Sequence, residues 1–251
     1  MIGAALAANC NDWPLRTIEC AQPKHLQLVT VDCPLHSWRD ERVRNLFGEL
    51  VALKLLGFGA NYSAKVLPVD TTDFIGRHYL SCLDTGHGLQ VVAAFRALDL
   101  ERCRLFNLSF PALSLTRAAN AVRHAEAVTE FVEQDDAVSY IGSWTIHPAV
   151  QRNPLLRAAL RDHFALGSIL FHREVGVRRL ILGATLRFKV DRLLSSVGYR
   201  LLSLGSKPLS PIAVQHLHGE PVRLMYFDRY GNDVRDRAEA LRGLWDARVA
   251  Y

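Results

Sequence analysis

A-V-S-Y-I-G-S-W-T-I-H-P-A-V-Q-R-N-P-L-L-R-A-A-L-R-D-H-F-A-L-G-S-I-L-F-H-R-E-V-G-V-R-R-L-I-L-G-A-T, residues 137–185, reads as strand, helix, strand. Residues 137–146 form a short apolar run that places Tyr140, Gly142, Trp144 and Ile146 on one face at the period of a strand, and His147-Pro148 ends it. Residues 154–175 carry the strongest helical pattern of the chain, opened by Pro154 in the first turn and closed by Gly176. Residues 178–185 are continuously apolar, as strands buried in a parallel or mixed sheet are.

The flanks extend this pattern. Residues 186–197 read as a second helix stopped by Gly198, and residues 199–204 and 221–227 as two closing strands. Toward the N-terminus, S-W-R-D-E-R-V-R-N-L-F-G-E-L-V-A-L-K-L-L (37–56) offers Ser37 as N-cap and spaces Val43, Leu46, Phe47 and Leu50 on one helical face. Strands are expected at 25–31, 64–69 and 89–98, with a polar turn at 84–88. D-F-I-G-R-H-Y-L (73–80) fits an extended piece or a short helix, and 115–134 reads as one helix. The expected organisation is a lead-in (1–37), an α/β domain with a central twisted mixed sheet flanked by helices (38–230), and a helical tail (231–251).

With 251 residues, 49% of them hydrophobic and 22% charged, the chain can bury the core of one globular domain. The five cysteines, at 10, 20, 33, 82 and 103, include no C-x-x-C pair, which argues against a disulfide framework or zinc site and for a reducing, cytoplasmic setting. The apolar start lacks a basic flank, and no apolar run approaches the ~20 residues of a membrane span. The net charge of +5 resides largely in Arg152, Arg157, Arg161, Arg173, Arg178 and Arg179. These arginines make either a solvated helix face or a dock for an acidic partner such as acyl carrier protein or the phosphates of coenzyme A; no motif interleaves them for nucleic acid.

The 146–156 frame, I-H-P-A-V-Q-R-N-P-L-L, resembles the GNAT acyltransferase superfamily, in which a strand ending in V-x-P leads into Q/R-x-x-G-x-G/A at a helix start. Ile146, Pro148 and Gln151 keep that pattern; Pro154 and Leu156 stand where glycines are usual. The resemblance implies a GNAT-like three-layer fold and an acyl-CoA or acyl carrier protein thioester as co-substrate. Its pantetheine arm would lie along Trp144, Thr145, Ile146 and His147, and its phosphates near Gln151, Arg152, Asn153 and Leu155. Pro154 has no N–H to give a phosphate, and Leu156 would crowd one.

A second resemblance, over about residues 38–228, is to the acyl-homoserine-lactone synthases and long-chain N-acyl amino acid synthases. V-D-T-T-D-F-I-G-R-H-Y-L supplies a D-x-x-D pair, Asp70 and Asp73, ahead of Tyr79-Leu80; Arg96 follows Asp73 by 23 residues. F-P-A-L (110–113) and V-G-Y-R-L-L-S-L-G-S-K-P (197–208) are similar to the same branch. Tyr140 and Ser143 occupy the strand positions where the synthases carry Glu and Arg, so homoserine-lactone formation is not implied.

Acyl transfer to an amine requires a polarised thioester carbonyl, a neutral amine within reach and a path for its proton. Asp70 and Asp73 are candidates to bind or deprotonate the amine, and Arg96 to hold an acceptor carboxylate; a structural salt-bridge network reads equally well. Tyr140 is either a donor to the departing thiolate or a core phenol, and His147 either a proton acceptor or a turn residue. Ser143 falls on the acceptor side, and Phe47 and Trp144 either line an acyl tunnel or pack in the core. His216 and His218 lack partners at metal-ligand spacing, so no metal is expected.

The expected function is N-acyl transfer of a medium or long chain to an amino acid or similar small amine. Acylation of a lysine or ornithine side chain in a ribosomal peptide, and a non-catalytic module that binds acyl thioesters or a protein, are the alternatives.

Overall fold

A computed structural model describes residues 18–19, 21–62, 66, 68–85, 88–229 and 231–251. Along the chain run β1 (Leu26–Asp32), α1 (Glu41–Gly59), α2 (Thr71–Ile75), β2 (Arg77–Asp84), β3 (Leu89–Asp99), α3 (Leu100–Leu105), α4 (Pro111–Ala118), α5 (Val122–Glu133) and β4 (Val138–Ile146). There follow α6 (Pro154–Glu174), β5 (Arg179–Thr185), α7 (Val190–Ser195), β6 (Arg200–Leu201), β7 (Ser203–Leu204), β8 (Lys207–Pro208), β9 (Ile212–Val214), β10 (Glu220–Phe227), α8 (Asn232–Glu239), α9 (Arg242–Asp246) and β11 (Val249–Ala250).

The main sheet has the order β11-β1-β2-β3-β4-β5-β10-β6, with β9 also on β10. The pairs β1–β11 and β4–β5 are parallel, and the others antiparallel. Strand alternation divides the core into layers: β3 turns Phe95 and Ala97 to one face and Ala94 and Leu98 to the other. On the first face α6 buries Leu156, Leu160, Phe164 and Phe171 against Tyr79, Phe95, Ile141 and Leu180. On the second, α1 sets Val43, Leu46, Leu50 and Leu53 on Val31, Leu80 and Val91, while α4 and α5 cover Leu98, Val138 and Ile181. This is the three-layer α/β arrangement expected from the sequence. Its edge pairs β1, from the expected lead-in, with β11, from the expected tail.

Several boundaries differ from the sequence reading. α1 is capped by Asp40, whose carboxylate accepts the Arg42 N–H at 2.9 Å, while Ser37 enters a preceding turn through its carbonyl. Of the strand expected at 64–69, residues 64, 65 and 67 lie outside the described residues, and Val66, Pro68 and Val69 belong to no strand. The 73–80 segment is both things at once, the end of α2 and the start of β2. The 115–134 helix breaks at Asn120, whose φ of 52° is left-handed, and the 186–197 helix is reduced to α7 behind a left-handed Lys189. Cys33, Cys82 and Cys103 are free and buried; Cys10, Cys20 and the apolar start lie outside the described residues. No helix among the described residues is long and apolar enough to cross a membrane.

The α6 interface is tightest at Gly167. A Cβ there would overlap the Tyr79 hydroxyl and lie 3.1 Å from its Cζ. Tyr79 cannot retreat, being stacked on Phe95 at 4.7 Å with its hydroxyl donating to the His163 carbonyl at 3.1 Å. Gly167→Ala should therefore destabilise the protein by about 2 kcal/mol in urea unfolding, although alanine favours helix. Adding Tyr79→Phe to that variant should recover part of the loss; an unchanged or raised stability of the single variant would contradict this packing.

Candidate active site at the parting of two strands

β4 and β5 pair only from Val138 with Arg179 to Ile141 with Leu182. Both continue past that point, β4 to Ile146 beside β3 and β5 to Thr185 beside β10. The divergence has a local cause. Gly142 opposes Arg96 and Thr145 opposes Ala94, so Ser143 and Trp144 together face the one residue Phe95. This is a β-bulge, and Ser143 takes its left-handed position with φ 56°. The bulge turns 142–146 away from 183–185, leaving a notch in the backbone pairing of the sheet.

Tyr140 stands at the vertex. Its phenol is buried beside Gly183, the first residue of β5 beyond the parallel ladder. Burial pushes the phenol above its ordinary pKa, so it stays protonated. A Cβ on Gly183 would come within 2.8 Å of Val222 Cγ1, so glycine permits the close approach of β10, while the Tyr140 hydroxyl would lie at an ordinary 3.6 Å. On the β4 wall Trp144 sets its ring edge-on to Phe164 at 5.7 Å, and its indole Nε1 is buried with no hydrogen-bond partner among the described residues. Thr145 is buried against Gly57 of α1, its hydroxyl donating to the Ser143 carbonyl at 3.1 Å, and Ile146 packs on the core.

His147 and the residues after it have structural tasks. The His147 N–H donates to the Val92 carbonyl at 2.8 Å, and Nδ1 accepts the Ala149 N–H at 3.2 Å, capping the short 3-10 turn Pro148–Arg152. Burial holds the imidazole below its usual pKa, and its acceptor nitrogen is already occupied. Asn153 caps α6 by accepting the Leu156 N–H at 3.0 Å, while its amide donates to the carbonyls of Ile18 at 3.1 Å and Ala21 at 2.7 Å. Arg152 pairs with Glu19 at 2.7 Å. The start of α6 is therefore covered by the chain's own Ile18, Glu19 and Ala21, and Leu156 is core. Gln151, Arg152 and Leu155 are exposed on the rim, Arg157 reaching Gln151 at 3.5 Å.

The Asp70–Asp73–Arg96 group does assemble. Asp70 and Asp73 form a capping box on α2: Asp70 Oδ1 accepts the Thr72 N–H at 2.8 Å, and Asp73 Oδ2 accepts the Asp70 N–H at 3.0 Å. Arg96 NH1 donates to Asp73 Oδ1 at 2.8 Å and to Asp70 Oδ1 at 3.1 Å. Asp73 is 1% exposed, whereas the Asp70 side chain is 62% exposed. Lys54 of α1, missed in the sequence, pairs with Asp73 Oδ1 and is equally buried. Its signal was present, because position 54 continues the buried face marked by Val43, Leu46, Phe47 and Leu50. Burial alone would raise the Asp73 carboxyl, but Arg96 and Lys54 together hold it below its usual range; burial depresses the Lys54 ammonium, with Asp73 opposing and Arg96 adding to the shift.

Phe47 belongs to an aromatic cluster with Phe74 at 4.7 Å and Trp38 at 5.4 Å, packed over His78, and is core on the α1 side. Among the described residues no group of three His, Cys, Asp or Glu side chains is placed to hold a metal. His216 lies close enough to Asp70 to feel its charge. The surface arginines are largely tied to neighbours, Arg173 to Glu239, Arg178 to Asp135, and Arg179 over the Phe131 ring.

A mixed sheet opened between two parallel central strands, with one long helix connecting them, is the GNAT-like fold, and the acyl-homoserine lactone synthases have it. The CoA-dependent synthase BjaI, solved with MTA, aligns at TM-score 0.53 and 11% identity over 90% of this chain and 93% of that chain. The CoA-dependent synthase MesI aligns at 0.51 and 12% identity over 86% and 95%, and the synthase LasI at 0.50 and 14% over 80% and 88%. At these identities the likeness is one of fold. No family model matches the sequence, and no curated protein matches it.

Two buried histidines make the fold sensitive to acid. His78 Nε2 donates to the Asp73 carbonyl at 2.6 Å, and burial pushes its pKa down to about 4; burial pushes His172 of α6 to about 3. Unfolded, both titrate near 6.5, so below that pH the unfolded chain binds protons that the native protein refuses, and stability falls. From pH 6.5 to 5 the loss should be roughly 1.5 kcal/mol for each of these two histidines in urea unfolding, and His172→Phe should lower the total loss by about that amount. A flat profile would contradict neutral burial.

Proposed function

We propose that the protein is an N-acyltransferase that takes a medium or long acyl chain from a pantetheine thioester and forms an amide on an amino acid or similar small amine. The carrying observation is the parting of β4 from β5 beyond Ile141 and Leu182, which gives an extended arm a place between two strand edges. In this reading the pantetheine lies along 142–146, where the Trp144 indole N–H serves as a donor to it. The amine nitrogen attacks the thioester carbonyl, the C–N bond forms and the C–S bond breaks. The amine's proton is lost, and the departing sulfur gains one.

Tyr140 suits the second transfer. In this reading its O–H points at the sulfur, and its raised pKa keeps the proton in place until thiolate develops. Asp70 is the acceptor-side anion: among the described residues the hydrogen bonds to its carboxylate all fall on Oδ1, leaving Oδ2 for an ammonium group. Donation by a carrier protein is favoured over coenzyme A, because Asn153, Pro154, Ile18 and Ala21 close the helix start that would hold a pyrophosphate. Exposed Arg152, Arg157 and Leu155 border that place and suit an acidic carrier protein.

Incubating the protein with acyl carrier proteins and acyl-CoAs of several chain lengths, with an amino-acid panel, and following thiol release tests the reading. Turnover should occur with amide formation and a higher kcat/KM for the carrier-protein donor; binding of thioesters without turnover would overturn it. Tyr140→Phe should lower kcat about 100-fold with little change in either KM. Asp70→Asn should raise the acceptor KM about tenfold and leave the donor KM alone; equal loss of both would remove Asp70 from the site.

A further inference from the structure

α1 buries an apolar face of Val43, Leu46, Phe47, Leu50 and Leu53, and among them stands Lys54, 1% exposed. On such a face an aliphatic residue of the same length would spare the cost of desolvating an ammonium, and Asp73 would keep Arg96 as its counter-ion. Nor does Asp73 need the lysine to satisfy its carboxylate: Oδ2 takes the Asp70 N–H, and Oδ1 takes Arg96 NH1 at 2.8 Å. What Lys54 changes is the charge count. With His78 neutral, Asp73 and Arg96 alone would sum to zero; with Lys54 the buried set carries one excess positive charge.

Among the described residues the further carboxylate that meets this excess is Asp70. Lys54 and Arg96 NH1 compete for the same oxygen, Asp73 Oδ1, so Arg96 is only partly neutralised there and also reaches Asp70 Oδ1 at 3.1 Å. Arg96 itself is held in place, its Cγ and Cδ lying where a Cβ on Gly76 would stand. We propose that Lys54 is a positioning residue for the acceptor end of the site: by sharing Asp73 it keeps Arg96 turned toward Asp70, which fixes Oδ1 and presents Oδ2 outward. The role in acceptor binding rests on the acyltransferase reading; the effect of Lys54 on the Arg96–Asp70 bond does not.

The test is Lys54→Met beside Lys54→Arg, with two readouts. In a crystal structure of Lys54→Met, Arg96 should be drawn fully onto Asp73 and its 3.1 Å bond to Asp70 lost. In turnover assays Lys54→Met should raise the acceptor KM about tenfold with the donor KM and the thermal midpoint unchanged, and Lys54→Arg should restore it to within about threefold of wild type. A retained Arg96–Asp70 bond, a parallel rise in both KM values, or an arginine variant as impaired as the methionine variant would each overturn the proposal. Should the wild type transfer no acyl group at all, the acyltransferase reading fails while the crystal structure still decides the electrostatic claim.

Discussion

Backbone hydrogen bonding in the middle of a sheet leaves little freedom, because a strand edge withdrawn from its neighbour leaves N–H and C=O groups to be satisfied in some other way. β4 meets this constraint asymmetrically. It follows β3 for its whole length and β5 for only four residue pairs, with the extra residue at Ser143 absorbing the change of direction. The Tyr140 phenol is buried beside Gly183 at the first step past the ladder, and Thr145 braces the far end against Gly57. The notch in the pairing is thus bordered by fixed contacts on both strands.

The charged residues on the α1 side form a second unit, joined to the first through β3. Arg96 lies opposite Gly142 in the β3–β4 register, so the same strand pair carries the bulge and the arginine of the charged group. The D-x-x-D pair serves two purposes: as a capping box it starts α2, and as a pair of anions it fastens α2 to α1 and β3. A structural network and a substrate-facing carboxylate are compatible here, because Asp73 is wholly interior and Asp70 is on the rim.

The strand–helix–strand passage of 137–185 was legible because each element carried both a periodicity and a stop signal, His147-Pro148, Pro154 and Gly176. The misplaced boundaries share one physical origin, a competing local choice that side chains settle. Asp40 outbids Ser37 as cap because its carboxylate reaches the Arg42 N–H; Asn120 and Lys189 adopt left-handed backbone that no hydrophobic pattern reports. In the site, the grouping of Asp70, Asp73 and Arg96 could be read from spacing, whereas Lys54 was hidden inside an apolar run. Neither the β-bulge nor the Asn153 contacts to Ile18 and Ala21 could be read, since both depend on residues brought together by the fold.

Hydrogen–deuterium exchange with and without an acyl carrier protein measures the use of the notch most directly. The account predicts slowed exchange confined to the two walls, 142–146 and 183–185, and to the rim at 151–157. Protection that bypasses those walls, for instance at the surface pocket of about 190 Å³ between Arg77, Trp245 and Arg248 at the β1–β11 edge, would contradict it.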